Sequence, residues 1–288
     1  MTQPAPPRTW SGPNRTGRTQ VNLVPTIGRR TLTVSRVEEL SPRYRRVYLT
    51  GGDLEGGFPY VRFAPTDHVK VVFPQPDTGE LVLPIPGARG LQAPEGAPRP
   101  PIRDYTVRGW LPDTQELVLE FVVHGHGVAS NWAAGAQPGD RVGVMGPRGN
   151  IVFPENYSWY LLAGDSSALP SMSRIIEELP SDASAHVLVA VEDDGEVLRH
   201  LGRPGVTVTW APRSRVGEDG LLEALRAVKA PEHDDWFAFI AGEVGMARTL
   251  RDHLRSRYSL PRERLVVDGY WQRGTINLDH HAVDLDAE

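Results

Sequence analysis

The chain changes rhythm near residue 154, and that change constrains its fold more than any single motif. From Thr31 to Phe153 the apolar residues fall in six short runs, TLTVSRV, RRVYLT, DHVKVVF, RDYTVRGW, ELVLEFVV and RVGVMG, punctuated by Gly, Pro and Asp. Alternation with a period of two puts every second side chain on one face of a strand. Many short strands separated by turn residues predict an antiparallel, six-stranded β-barrel. After Phe153 strand-length segments alternate with helical ones. SWYLLAG, AHVLVAVE, VTVTW, WFAFIAG and RLVVDGY read as strands, and SALPSMSRIIEELP, GLLEALRAV and VGMARTLRDHLRSRY as helices. That alternation predicts a parallel sheet with helical crossovers. The fold class is β-barrel plus α/β, with the barrel over residues 29–154 and the α/β domain, with a C-terminal tail, over 155–288. Residues 1–28 are rich in Pro, Gly, Thr and Arg and lack apolar periodicity, so they read as a disordered arm. The Pro- and Gly-dense stretch from Pro74 to Pro101 reads as a long surface loop.

Composition narrows the chemistry. The 288 residues include no cysteine. Disulfides, thiol nucleophiles, cysteine zinc sites and cysteine-ligated iron–sulfur clusters are therefore excluded, and redox chemistry requires a bound cofactor. Lys plus Arg total 31 and Asp plus Glu total 36. Five of the Arg fall in residues 1–30, which hold no acid, so the rest of the chain is distinctly acidic. Such a body lacks the basic face that a phosphate backbone needs, and nucleic acid is not an expected partner. The longest apolar runs are far short of the ~20 residues of a membrane span, and MTQPAPPRTW has no apolar core of a secretory signal. A cytoplasmic monomer without membrane insertion is expected.

Four motifs carry candidate chemistry. In Arg103-Asp104-Tyr105-Thr106, strand alternation puts Arg103 and Tyr105 on one face. A Tyr stacks on a flat ring and an Arg pairs with a phosphate, although an ordinary strand with one exposed pair reads the same way. In His124-Gly125-His126-Gly127-Val128-Ala129-Ser130, a Gly-rich turn opens a helix, whose free N–H groups and dipole suit an anion. His124 and His126 have no third ligand nearby, so no metal site is expected. Ala163-Gly164-Asp165-Ser166-Ser167-Ala168 follows the first α/β strand, at the carboxyl edge where such sheets bind ligands. It is not a G-x-G-x-x-G fingerprint. Ala241-Gly242-Glu243, with Arg248, and Asp268-Gly269-Tyr270-Trp271-Gln272-Arg273-Gly274 follow later strands at that same edge. Trp271 there either packs over a flat ring or fills a sheet edge.

Taken together and in order, RDYTVR, HGHGVASNWA, PGD, GPRG, LLAGDSSALPSM, FIAGEVGMARTLR and DGYWQRG resemble the siderophore-interacting proteins, flavin-dependent ferric-siderophore reductases of the ferredoxin-reductase-like superfamily. The resemblance runs from about Thr31 to Gly274. It implies an FAD-binding barrel, an NAD(P)H-binding α/β domain, and a ferric siderophore as substrate. It further implies hydride transfer from NADH or NADPH to FAD and single electrons passed to Fe(III), releasing Fe(II). Residue by residue, it places Arg103, Tyr105 and Thr106 at the flavin and His124, Gly127, Val128, Ala129 and Ser130 at its pyrophosphate. It places Asp165, Ser167, Ala168, Gly242, Glu243 and Trp271 around the cofactors, with Tyr105, Thr106 and Asp165 as catalytic candidates. Lys70 and Arg248 match basic positions for siderophore binding. Ser166 and Ser167 stand where the family usually has an acid and a Thr. Asp193 and Asp194, after the second α/β strand, tilt the nucleotide expectation toward NADH, whereas Arg213 and Arg215 would accept a 2′-phosphate. Three rival readings remain open: a general NAD(P)H:flavin or electron-transfer reductase, a non-catalytic ferric-chelate binder, and a nucleic-acid or partner-binding module using the Arg-bearing arm.

Overall fold

The computed structural model describes residues 12–24, 27–87, 90–199 and 201–275, together with Leu278 and Leu285. The chain divides into two compact units, one built on Val21–Ile151 and one that joins Gly12–Gln20 to Val152–Glu288.

The first unit contains, in chain order, β1 (Gln20–Leu23), β2 (Arg29–Ser41), β3 (Tyr44–Thr50), β4 (His68–Val72), β5 (Ile85–Gly87), β6 (Gly90–Gln92), β7 (Ile102–Thr106), β8 (Gly109–Leu111), β9 (Glu116–Val122), α1 (Val128–Gly135), β10 (Arg141–Met145) and β11 (Gly149–Val152). Seven of these strands form one antiparallel sheet in the order β7-β4-β10-β2-β3-β9-β8. The six-strand expectation falls short by one because RDYTVRGW, read as a single segment, contributes to two strands. Val107 N–H donates to the Asp67 carbonyl at 2.7 Å and Arg108 N–H to the Val118 carbonyl at 3.0 Å, so the chain leaves β4 and joins β9 within two residues. Strands β7 and β8 end the sheet on opposite sides, yet so short a link spans only roughly 10 Å. The sheet must therefore curl until its two ends meet, which is the barrel. Its interior is filled by alternate residues such as Leu32, Val34, Val47, Leu49, Val69, Val71, Leu117, Leu119, Val142 and Val144. Burying one such aliphatic chain contributes about 1.5–3 kcal/mol.

The second unit contains β12 (Trp159–Asp165), α2 (Leu169–Glu178), β13 (Ser184–Val191), β14 (Val206–Pro212), α3 (Arg213–Val216), α4 (Gly220–Ala227), β15 (Trp236–Glu243), α5 (Val244–Tyr258) and β16 (Leu265–Trp271). All five strands are parallel, in the order β14-β13-β12-β15-β16. Central strands buried on both faces read as continuous apolar runs, as WYLLAG and WFAFIAG do. The first strand lies in the middle, and the winding direction reverses between β12 and β15. Open α/β sheets bind ligands at the carboxyl ends of the strands beside such a reversal.

Part of the expected arm is built into the fold. Asn14 is fully buried in the second unit. Its Nδ2 donates to the Val152 carbonyl at 3.0 Å, and its own carbonyl accepts from Glu155 N–H at 2.7 Å. Gly17 N–H donates to Asn156 Oδ1 at 3.1 Å, and the Tyr157 hydroxyl donates to the Gly17 carbonyl at 2.7 Å. Strand β1 then pairs with β11. A polar segment thus orders through side chain–backbone bonds to distant partners, which no apolar periodicity announces. Residues 1–11 and 25–26 of the expected arm lie outside the described residues.

Candidate functional site

In the first unit the site is built on β7 and α1. Register pairs Val69 with Tyr105 and Val71 with Arg103. The Tyr105 ring lies 4.3 Å from Phe121 and 6.3 Å from Phe73, measured between centroids. Trp132 of α1 packs on Phe73 at 5.4 Å and on Phe121 at 5.6 Å. This aromatic floor fixes the plane of Tyr105. Burial pushes its phenol upward, against the opposing charge of Arg103, and its hydroxyl makes no hydrogen bond among the described residues. Arg103 Nη1 donates to the Ile102 carbonyl at 2.7 Å, and the rest of its guanidinium has no partner among the described residues. Thr106, buried, projects from the other face with Asp104.

The turn from β9 into α1 is shaped by Gly125 and Gly127, at φ 78 and 75. Both lie in the left-handed region that only glycine adopts freely. The Ser130 hydroxyl accepts from His124 N–H at 2.9 Å and Gly125 N–H at 3.2 Å, closing the turn. It keeps its own proton to donate. No side chain caps α1, and the first helical bond runs from Asn131 N–H to the Gly127 carbonyl. The N–H groups of Val128, Ala129 and Ser130 are therefore the orphan donors of a helix start. Burial and, second, the neighbouring His126 lower the His124 imidazole. Backbone N–H groups, a guanidinium with donors to spare and an unpartnered phenol beside an aromatic floor form a donor set that fits a flat ring carrying phosphates.

Lys70 is drawn into a local pair. Its ammonium contacts both carboxylate oxygens of Asp104, on the neighbouring strand β7, at 2.8 and 3.0 Å.

In the second unit the strand ends converge on Asp165, which is 4% exposed. Asp165 Oδ1 accepts from Ser167 N–H at 2.9 Å and from the Ser167 hydroxyl at 2.5 Å. Oδ2 accepts from Glu243 N–H at 2.8 Å and from the Trp271 indole at 2.9 Å. The Glu243 carboxylate caps α5 through Met246 N–H at 2.9 Å and accepts from Arg273 N–H at 3.3 Å. The structure thus brings Asp165, Ser167, Gly242, Glu243 and Trp271 together, with Ala168 buried behind them. Arg248 is exposed on α5 and has no hydrogen bond or ion pair among the described residues. At the far strands, Asp193 accepts from Gly195 N–H at 2.8 Å, and Asp194 pairs with Arg215 at 2.7 Å. Arg213 lies 3.8 Å from Glu192 and 3.6 Å from Glu218. Sequence reasoning passed over Ser171 of α2, whose hydroxyl meets that of Tyr270 at 2.7 Å. A serine inside a helical run carries no signal that a distant phenol needs it.

A curled antiparallel unit followed by a five-stranded parallel sheet defines the class: a ferredoxin-reductase-like fold. Comparison with known proteins narrows it. Residues 33–151 match the siderophore-interacting FAD-binding domain, and residues 157–274 match the siderophore-interacting protein family. The chain is 37% identical to the NADPH-dependent ferric-chelate reductase of Escherichia coli, over 84% of this chain and 92% of that protein. It is 35% identical to the ferric vibriobactin reductase of Vibrio cholerae, over 90% of this chain and 95% of that protein. A siderophore utilization protein from T. fusca superposes with a TM-score of 0.81 at 40% identity, covering 92% of this chain and all of that one. The chain belongs to the siderophore-interacting protein family.

Proposed function

We propose that this protein is a ferric-siderophore reductase that takes electrons from a nicotinamide nucleotide through FAD. The observation that carries the reading is near-full-length likeness to two ferric-chelate reductases. When bound, FAD supplies the exchange between hydride donors and one-electron acceptors.

The chain's own residues supply position and field. Arg103 and the N–H groups of Val128, Ala129 and Ser130 hold the diphosphate, with Gly127 and His124 shaping the turn. Tyr105, fixed by Phe121, sets the plane of the flavin ring, and Thr106 borders it. Gly242, Glu243, Ser167 and Ala168 frame the nucleotide edge of the sheet. Arg248 draws in an anionic ferric chelate, and Lys70 contributes the charge left after its pairing with Asp104. No protein atom needs to bind iron, because Fe(II) leaves a hard oxygen chelate more readily than Fe(III).

Against the tilt toward NADH, the geometry favours NADPH. Asp193 accepts from Gly195 N–H and Asp194 is charge-paired with Arg215, so neither acid stands unopposed, and Arg213 sits at the carboxyl end of β14 beside the exposed carboxylates of Glu192 and Glu218. The test is anaerobic stopped-flow mixing of the purified flavoprotein with NADPH or NADH, then with a ferric siderophore and a ferrous-iron trap. Bleaching of the flavin, followed by Fe(II) capture at the rate of its reoxidation, is expected. Rapid bleaching without Fe(II) would favour the general flavin reductase, and a colourless chain that binds ferric chelate would favour the non-catalytic binder.

A further inference from the structure

Asp165 has the position of a catalytic carboxylate but not its freedom. An ionised carboxylate offers about four acceptor sites, and here four donors occupy them: Ser167 N–H, the Ser167 hydroxyl, Glu243 N–H and the Trp271 indole. Two of these donors are backbone N–H groups, the third is the Ser167 hydroxyl beside one of them, and the fourth is the side chain of an aromatic residue left partly exposed at the ligand edge. The backbone is shaped around this carboxylate. Gly242 sits at φ 132, and a Cβ there would come within 2.6 Å of Asp165 Oδ2. A Cβ on Gly164 would lie 2.3 Å from the Ala241 carbonyl. Only glycines let β12 and β15 end so close together. At that same point the β15–β16 register shifts, so that Glu243 stands opposite Trp271. The residues after Trp271 are tied back by Glu243 Oε1 through Arg273 N–H.

We infer that Asp165 is a positioning residue that acts through Trp271. Its carboxylate pins the indole across the strand-end edge, so that the aromatic face is already oriented when the nicotinamide nucleotide arrives. The inference rests on the reading above that this edge takes the nucleotide. No proton moves to or from Asp165 in this role.

The test uses the FAD-loaded protein and the variants Asp165→Asn, Trp271→Phe and their combination. Asn has one acceptor oxygen in place of two and no negative charge, so it cannot serve the Ser167 pair and the Glu243–indole pair together, and Phe keeps a ring but deletes the donor. Each single variant is expected to raise the KM for NADPH about tenfold, the effect of losing one hydrogen bond to a charged group. kcat and the pH profile of flavin reduction should stay unchanged, and the double variant should be no worse than either single one. In nitrogen-15-labelled protein the Trp271 indole N–H resonance should shift upfield in Asp165→Asn. Additive losses, a vanished limb of the pH profile, or an unmoved indole resonance would overturn the inference. If Asn at 165 prevents folding, Trp271→Phe decides alone: undiminished nucleotide affinity sinks the idea. Failure of the wild type to deliver Fe(II) would instead count against the parent reading, since the indole resonance and nucleotide binding are read without iron.

Discussion

Asp268 illustrates what one side chain can hold in reserve. Leu265 and Val267 of β16 pack into the core shared with α4 and α5, so alternation turns Asp268 to the other face, beside Ala241. Burial raises its carboxyl to about 6, and no hydrogen bond among the described residues offsets the charge. Because the folded value lies above the unfolded one, ionisation is disfavoured in the fold. The destabilisation is full above about pH 6 and is relieved as pH falls toward the unfolded value near 4. Asp268→Asn should therefore be more stable than wild type at pH 8, on the order of 1–3 kcal/mol by urea unfolding, with the gap closing by pH 4. A gap that is constant across pH would contradict this. Arg103→Ala should weaken FAD retention by roughly 1.5–3 kcal/mol, because a phosphate loses a charged donor. Fluorimetric titration of the apoprotein checks it, and an unchanged FAD affinity would remove Arg103 from the diphosphate site. Arg103, Tyr105 and the Gly125–Ser130 turn were legible because a strand's alternation and a helix start are local. The Lys70–Asp104 pair was not, because two neighbouring strands separated by 34 positions must meet before it exists.

At the scale of elements, the strand ends at Gly164 and Gly242 depend on backbone approach. Gly242→Ala would press a methyl against the Asp165 carboxylate at a φ that side chains resist. It should lower the stability of the second unit by about 1–3 kcal/mol and weaken nucleotide binding, as read by thermal unfolding with and without NADPH. An Ala variant as stable and as tightly binding as wild type would show that this edge relaxes freely. The parallel sheet was legible element by element, since buried parallel strands and amphipathic crossovers differ in period. The seventh barrel strand was hidden because no turn residue interrupts RDYTVR before Gly109, and only pairing partners divide the segment. The four-residue helix α3 is too short to display a helical period at all.

For the molecule as a whole, charge is distributed in a way that invites a test. The chain carries a formal charge of −5, so an anionic chelate must approach against the general field. Arg248→Ala should raise the KM for an anionic ferric siderophore severalfold, roughly 2–10-fold at low salt, and leave a small neutral acceptor unaffected. Lys70→Ala should act in the same direction, since it strips Asp104 of its counter-charge. Asp104→Asn should do the opposite and lower that KM. Equal effects on charged and neutral acceptors would move both basic residues out of substrate capture. The architecture was readable from the order of the motifs, but not the path of Gly12–Gln20, which depends on polar contacts reaching across about half of the sequence. The seat that Asn14 takes against Val152 and Glu155 has a temporal side. The ribosome delivers Asn14 138 residues before its partner Val152. While those residues are being added, the nascent chain carries Gly12–Gln20 with nowhere to dock. The α/β unit takes in Gly12–Gln20 only once the stretch from Val152 to Tyr157, where the rest of that unit begins, has been made.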